Sequence, residues 1–431
     1  MSEWKKVKIG DIFAIEKGSL QSSKNTSGKY DFITAASEWK THNSYDHDCE
    51  AIVYAVAASG SLGRAHYVNG KFIASDLCFI LTEKNKDVYP VNFLFYQIIF
   101  EMLRDEIVSK TKTGTSKESI NRGNFSNYEI PYFPIDFQLA NYQRFVDAKN
   151  TIKTLIDEFE KQKSYAKQLR QNILQEAIEG KLTADWRKQH PVQKGNPDYD
   201  AEALFEKIQA EKLETKSTKK TVAPIAKDEI PFEIPTGWKW VRLGEICEGF
   251  MYGTSAKSLL SGKCPVLRMG NIQNGKIDLE KLVYTNNDEE IEKYLLKQYD
   301  LLFNRTNSRE MVGKTAIFES TQKTIYAGYL VKFRPIKSNP YFVNIVLNSK
   351  THREWCNEVK VDALGQSNIN AEKLKNFITP LPPLAEQKEI VARVEQLLQT
   401  ITQLETQIAT RETLTKQLMQ SILKDAFEEH K

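Results

Sequence analysis

Starting at Phe145, apolar side chains recur three and four residues apart: Phe145, Ala148, Ile152, Leu155, Phe159, Ala166, Leu169 and Ile173, with Gln162 the polar member of the series. A second series runs Ile390, Val394, Leu397, Ile401, Leu404, Ile408, Leu418 and Ile422, interrupted by Arg411 and Thr415. An α-helix gathers such residues into one stripe, and a stripe sustained this long is a coiled-coil seam. Neither stretch holds Pro or Gly, so each predicts a single helix of ~36–40 residues, about 54–60 Å at 1.5 Å per residue. Seams of that length need a long partner. The simplest is the other helix; the alternative lays each helix flat on its own domain.

Ahead of each helix the pattern changes. AIVYAVAA (51–58) is an apolar run suited to a buried strand, and HYVNGKFIA (66–74) contains Asn69-Gly70, a two-residue hairpin signal between alternating residues. Further on, DLLFNRT, KTAIFE and YLVKF read as strands. A helix is expected over VNFLFYQIIFEMLRDEIV (91–108) and another over PYFVNIVLNSKTHREWCNEV (340–359). The expected class is α+β, with two β-rich modules.

The elements repeat. QLRQNILQEAIEGKL (168–182) and QLMQSILKDAFEEHK (417–431) agree without a gap at Gln168/Gln417, Leu169/Leu418, Gln171/Gln420, Ile173/Ile422, Leu174/Leu423, Ala177/Ala426 and Glu179/Glu428. WKKVKIGDI at the start matches WKWVRLGEI (238–246) at Trp4/Trp238, Val7/Val241, Gly10/Gly244 and Ile12/Ile246. Gly63-Arg64 stands opposite Gly313-Lys314, and SINRGNFSNYEIP (119–131) opposite NINAEKLKNFITP (368–380). One unit is written twice. The chain therefore divides into a globular domain at 1–142, a long central helix at 143–182, a connector at 183–235, a second globular domain at 236–387 and a long helix at 388–431. The connector, with its charged run AEALFEKIQAEKLETK and basic STKK, reads as a solvated linker with a short helix; the alternative is a partner-binding segment. Aligning Ala140 with Ala385, the second helical region carries four more residues before Ala426 than the first does before Ala177, about one turn or ~6 Å.

Composition excludes more than it adds. With 41% hydrophobic residues the chain can pack ordinary cores, and no apolar run reaches the ~18 residues needed to span a bilayer. With no signal-like opening, the cytoplasm is the expected compartment. The five cysteines form no CxxC pair, and the six histidines show no ligand spacing. His42 and His47 beside Asp46 and Asp48 read as a polar loop. Gly313-Lys314-Thr315 resembles a P-loop ending, but the first glycine of that motif would fall on Ser308. No methyltransferase NPPY-type or dinucleotide GxGxxG stretch occurs. A net charge of +4 permits nucleic acid without making the chain a polycation.

What remains is polar loops rich in side chains that read base edges or hold phosphates. In the first unit they supply Ser61, Arg64, Lys110, Lys112, Thr115 and Lys117. In the second they supply Arg268, Asn271, Arg305, Asn307, Ser308, Lys314, Gln366 and Asn368. These are the candidate DNA-binding residues; no catalytic and no metal site is expected.

EGKLTADWR (179–187), IPTGWKWVRLGEI (234–246) and ITPLPPLAEQKEIV (378–391), in this two-unit plan, resemble the DNA specificity subunit of type I restriction–modification systems. The first unit departs from the pattern, with FPIDFQLANYQRFV (133–146) in place of the compact PLPPLAEQ phrase. The resemblance implies two similar β-rich target recognition domains separated by two long antiparallel helices in a coiled coil, with a pseudo-two-fold internal repeat. Each domain would read one half of a bipartite, asymmetric site on double-stranded DNA. The implied partners are two modification subunits, which use S-adenosylmethionine at adenine N6, and up to two restriction subunits, which use ATP and Mg. No cofactor is implied in this chain, a non-catalytic subunit. The competing classes are a coiled-coil scaffold without DNA readout, a free-standing nuclease, and a recognition subunit of a two-subunit or modification-only system.

Overall fold

The computed structural model describes residues 4–58, 60–114, 118–214, 224–363 and 365–428. The chain forms two compact units, one of residues 1–162 with 407–431 and one of residues 163–406.

In the first unit a six-stranded sheet runs in the order Phe13–Lys17, Cys78–Glu83, His47–Ala55, Ala65–Ala74, Tyr30–Ile33 and Lys40–His42. Only the pairing of Tyr30–Ile33 with Ala65–Ala74 is parallel. The second unit keeps this order in two pieces. Cys247–Tyr252, Leu330–Pro335, Leu301–Asn304 and Thr315–Ile317 form one sheet; Ile325–Tyr326, Cys264–Leu267 and Val283–Thr285 form the other. The parallel pairing between its strands, Cys264–Leu267 with Ile325–Tyr326, falls at the corresponding place. The long strand Ala65–Ala74 thus has a counterpart interrupted between Ile317 and Ile325.

Asn69-Gly70 is not a hairpin. His47–Ala55 pairs continuously with Ala65–Ala74 from His47/Phe72 to Tyr54/Ala65, so Asn69 and Gly70 lie inside a strand. Residues 72–74 are also paired on their other side by Asp31–Ile33, and this double pairing keeps the segment extended despite its local turn preference. The chain reverses at 56–64 instead. There Gly63 N donates to the Ala55 carbonyl at 2.9 Å and Ala55 N to the Arg64 carbonyl at 2.8 Å. In the second unit Gly313 N to Asn304 O and Asn304 N to Lys314 O repeat the arrangement, both at 2.8 Å. Gly63 and Gly313 have φ of 78° and 89°. A Cβ would stand 2.7 Å from Arg104 Cγ in one and 2.4 Å from Cys356 Sγ in the other, so helix and turn meet only over glycine.

The expected single helices are each two. Phe93–Met102 is followed by Arg104–Thr111, and Pro340–Val346 by Lys350–Val359, the last started by the Ser349 hydroxyl accepting from His352 N. The repeated frame phrases close each unit on itself: Lys6–Lys8 pairs antiparallel with Glu129–Pro131, and Lys239–Arg242 with Ile378–Leu381.

The long helices run Ile135–Ile178 and Leu384–Glu428, 44 and 45 residues, both starting earlier than the expected 143 and 388. They differ by one residue, not four. Gln138 accepts from Asn92 N at 2.6 Å and donates to the Phe133 carbonyl at 2.6 Å. Gln387 accepts from Asn339 N and donates to the Pro382 carbonyl, both at 2.8 Å. Gln138 and Gln387 are therefore the matched residues, and the alignment of Ala140 with Ala385 inserted a gap that the structure removes.

In the second unit residues 163–178 run antiparallel to 384–406. Arg170 reaches Glu405 at 3.1 Å, Arg393 reaches the Leu182 carbonyl at 2.7 Å, and Ala166, Ile173 and Ala177 share a core with Ile390, Val394 and Ile401. In the first unit 407–428 belong with 135–162. The expected seam is only half buried. Phe145, Ile152, Phe159, Ala166 and Ile173 are covered, as are Val394, Ile401 and Ile408. Its leucines are not, although Ile390 is: Leu155 is 37% exposed and its counterpart Leu404 43%, Leu169 47% and its counterpart Leu418 51%.

The connector's helix is packed, while stretches such as 191–195 and 226–231 are exposed as a solvated linker would be. In the helix Ala201–Glu214, Leu204 and Ile208 enter the second unit's core, and Lys212 Nζ donates to the carbonyls of Gly244, Glu245 and Cys247. Its apolar face, every three to four residues, drives that burial. STKK lies outside the described residues.

Candidate nucleic-acid interface

Five of the sequence candidates come together in the second unit. Thr306–Asn307 pairs antiparallel with Gln366–Asn368, which pairs with Val361–Ala363 in a three-stranded sheet. Arg305 Nη2 donates to Asn368 Oδ1 at 3.1 Å, and Asn368 Nδ2 to Thr306 Oγ1 at 2.9 Å. Tyr252, not singled out from sequence, lies under the Arg305 guanidinium at 4.7 Å and receives the Ala371 N–H on its hydroxyl at 3.1 Å. Arg305 is thus held on an aromatic face and by one amide, while its Nε is buried without a partner. Ser308 and Gln366 are exposed beside it, and Asn307 accepts from Ser308 N at 2.8 Å. An orientated guanidinium with neighbouring amides and hydroxyls matches the donor and acceptor edges of bases in a DNA groove.

The remaining candidates separate. Arg268 is exposed. Asn271 is turned inward: it accepts from Arg268 N at 2.8 Å, donates to the Asp278 carbonyl at 2.8 Å and is 4% exposed, which makes it the brace of its loop. Lys314 donates to Gln273 Oε1 at 3.2 Å; burial, Arg353 and Lys167 push its pKa below the usual lysine value.

In the first unit Arg64 is drawn into the structure. Its Nη1 donates to the Ala35 carbonyl at 2.7 Å and to Ser61 Oγ at 3.3 Å, so Ser61 and Arg64 brace the glycine turn. Lys110 is exposed, and Lys112 is paired with Glu118 at 2.7 Å. Lys112–Thr113 and Ser119–Ile120 form the hairpin that corresponds to Val361–Asn368. Thr115 and Lys117 lie outside the described residues.

Sequence reasoning missed a matched pair of arginines, although their spacing was visible. Arg104 Nε donates to the Leu62 carbonyl at 2.6 Å, and Arg353 Nη1 to the Val312 carbonyl at 2.7 Å, each just ahead of its glycine.

It also missed a buried junction that ties together the three resembling stretches. The Glu386 carboxylate accepts from Thr183 Oγ1 and from Trp238 Nε1, both at 2.7 Å, and is in close contact with Arg187. Arg187 also binds the Gly180 carbonyl. EGKLTADWR, GWKW and LAEQ meet on that carboxylate. At the matching place in the first unit Phe137 replaces Glu386, and Trp4 packs on it with ring centres 5.1 Å apart.

Among the described residues no group of three or more His, Cys, Asp or Glu side chains is placed to hold a metal, and no helix is long and apolar enough to cross a membrane. His47 sits between Glu16 at 3.0 Å and Asp46 at 2.7 Å, and His42 between Asn25 and Thr26 N.

The fold defines a duplicated recognition module on a long-helix frame, with a polar cluster but no cluster of metal-ligating side chains among the described residues. The family model for the type I restriction modification DNA specificity domain matches residues 1–163 and 235–411, and the chain belongs to that family. It is 33% identical over 205 residues to a Methanocaldococcus jannaschii chain provisionally named the specificity subunit of type I restriction enzyme MjaX, covering 46% of this chain and 48% of that one. It is 26% identical over 330 residues to the type I restriction enzyme EcoKI specificity subunit of Escherichia coli K12, covering 74% of this chain and 61% of that one. The chain thus spans about half to three-fifths of the length of these relatives. A solved chain from work on complex assembly and conformational transition of the type I R-M system superposes with a TM-score of 0.60 at 17% identity, covering 99% of this chain and 98% of that chain.

Proposed function

We propose that this chain is the sequence-specific DNA-binding subunit of a type I restriction–modification complex, working in the cytoplasm. Each recognition unit reads one half of a bipartite, asymmetric site on double-stranded DNA. The observation that carries this reading is the Arg305, Asn307, Gln366 and Asn368 cluster, built on a hairpin that both units share but dressed with side chains that only the second unit has. A frame that repeats and a surface that does not is what two different half-sites require.

The chain performs no chemistry of its own. Two modification subunits supply adenine-N6 methylation with S-adenosylmethionine, and up to two restriction subunits supply ATP- and Mg-dependent cleavage. Support for paired partners comes from the exposed leucines, which occur as matched pairs, Leu155 with Leu404 and Leu169 with Leu418. A patch written twice suits two copies of one partner, and exposed leucines at helical spacing are normally covered.

Duplex binding by the full chain, titrated over a salt series, tests the reading. Affinity that falls steeply with salt is expected of a DNA reader; salt-independent or absent duplex binding would favour a scaffold.

A further inference from the structure

Two clefts occupy corresponding places in the two units, between the glycine turn and the helix whose arginine braces it. The first, about 300 Å³, is lined by Leu62, Arg104, Asp105, Lys112 and Glu118 among others. The second, about 430 Å³, is lined by Arg309, Glu310, Arg353, Asn357 and Lys360. Their charge differs. In the first, two cations face two carboxylates, and Lys112 is already paired with Glu118 at 2.7 Å. In the second, three cations face the single carboxylate of Glu310.

The second cleft's own contacts leave its charge uncancelled. Lys360 Nζ donates to the Arg309 carbonyl at 3.2 Å and to Asn357 Oδ1 at 2.8 Å, neutral acceptors that place the ammonium and leave its charge intact. Asp362 lies 3.7 Å from Arg309 Nε, but both side chains are largely exposed, so the pair contributes little. Arg353 is fixed through Nη1 on the Val312 carbonyl, while its Nη2 is buried and has no partner. A guanidinium N–H away from water and unpaired is costly, so the site is short of an acceptor. The imbalance extends over the unit: residues 1–134 carry 16 basic and 16 acidic side chains, residues 235–383 carry 21 and 15.

We infer that the cleft of Arg309, Arg353 and Lys360 takes a phosphate group of the DNA backbone, and that its counterpart in the first unit does not. The inference rests on the DNA-reading function proposed above and adds a division of labour to it. Phosphate oxygens are charged acceptors that suit a guanidinium fork, and contacts to them position a protein without reading sequence. The second unit would then supply more of the sequence-independent affinity.

The test uses the full chain, a random-sequence duplex pool and a salt series, comparing the parent with Arg309→Gln/Lys360→Gln and with Lys112→Gln. The double variant is expected to lower the slope of log affinity against log salt by about 1, as for one lost phosphate contact. Lys112→Gln is expected to leave the slope unchanged. A parent that binds steeply and a double variant with the same slope would overturn the cleft assignment while leaving DNA reading intact. A parent that binds no duplex overturns both. Loss of inorganic phosphate binding by calorimetry in the double variant, with the duplex slope unchanged, would assign the cleft to a free anion and overturn the DNA source.

Discussion

The indole N–H of Trp238 donates to the Glu386 carboxylate at 2.7 Å, inside a junction where Glu386 is almost wholly buried. That carboxylate also holds Thr183 and Arg187, so it fastens the end of the central helix and the first strand of the second unit to the start of the C-terminal helix. Removing it leaves the half-buried Arg187 without its counter-charge. Glu386→Ala is expected to destabilise the second unit by about 3 kcal/mol or more. Glu386→Gln, which keeps an acceptor, is expected to cost less. Chemical denaturation followed by tryptophan fluorescence checks both, and equal stability of Glu386→Ala and parent would refute the clamp.

His352 gives the second unit an acid limit. It is enclosed by Phe303, Trp355 and Phe377, and burial, helped by the Arg353 charge, pushes its pKa down to about 3. The unfolded chain takes up this proton near pH 6.5 and the folded one does not, so the stability is present above pH 6.5 and is lost as the pH falls toward 3. The slope is about 1.4 kcal/mol per pH unit. Unfolding measured between pH 7 and 5 should show this slope in the parent and a flatter one in His352→Leu.

The long helices have nearly equal lengths, 44 and 45 residues, and the function proposed above gives them the role of setting the spacer between half-sites. Successive major-groove readers sit about 34 Å apart, within the span of helices this long. Inserting four residues into the exposed face near Glu158 or near Thr406 moves that end by about 6 Å. The expected result is a changed spacer between half-sites in the methylated motif; an unchanged spacer would sink the ruler.

The frame was legible because the same residues say it twice. Trp4 and Trp238, or Gly63 and Gly313, identify one another without any structure. Errors came where distant pairing outvotes local preference: Asn69-Gly70 reads as a turn, yet Cys49 and Glu50 pair across it and hold it in a strand. The four-residue helix difference came from aligning similar letters, Ala140 with Ala385, where the matched function belongs to Gln138 and Gln387. The site was half legible. Its polar loops were visible, but Arg305 meets Asn368 across 63 residues, and Tyr252 beneath it looks like any surface tyrosine. Burial alone separates Asn271, which braces a loop, from Arg268, which is exposed.

The measurement closest to the central claim is the sequence of methylated adenine sites in a host carrying this chain with its methyltransferase, for the parent and for Arg305→Ala/Asn368→Ala. A bipartite, asymmetric motif is expected in the parent. In the variant one half is relaxed or lost, while the other half keeps its sequence. An undivided motif in the parent, or a variant that alters both halves or neither, would contradict it.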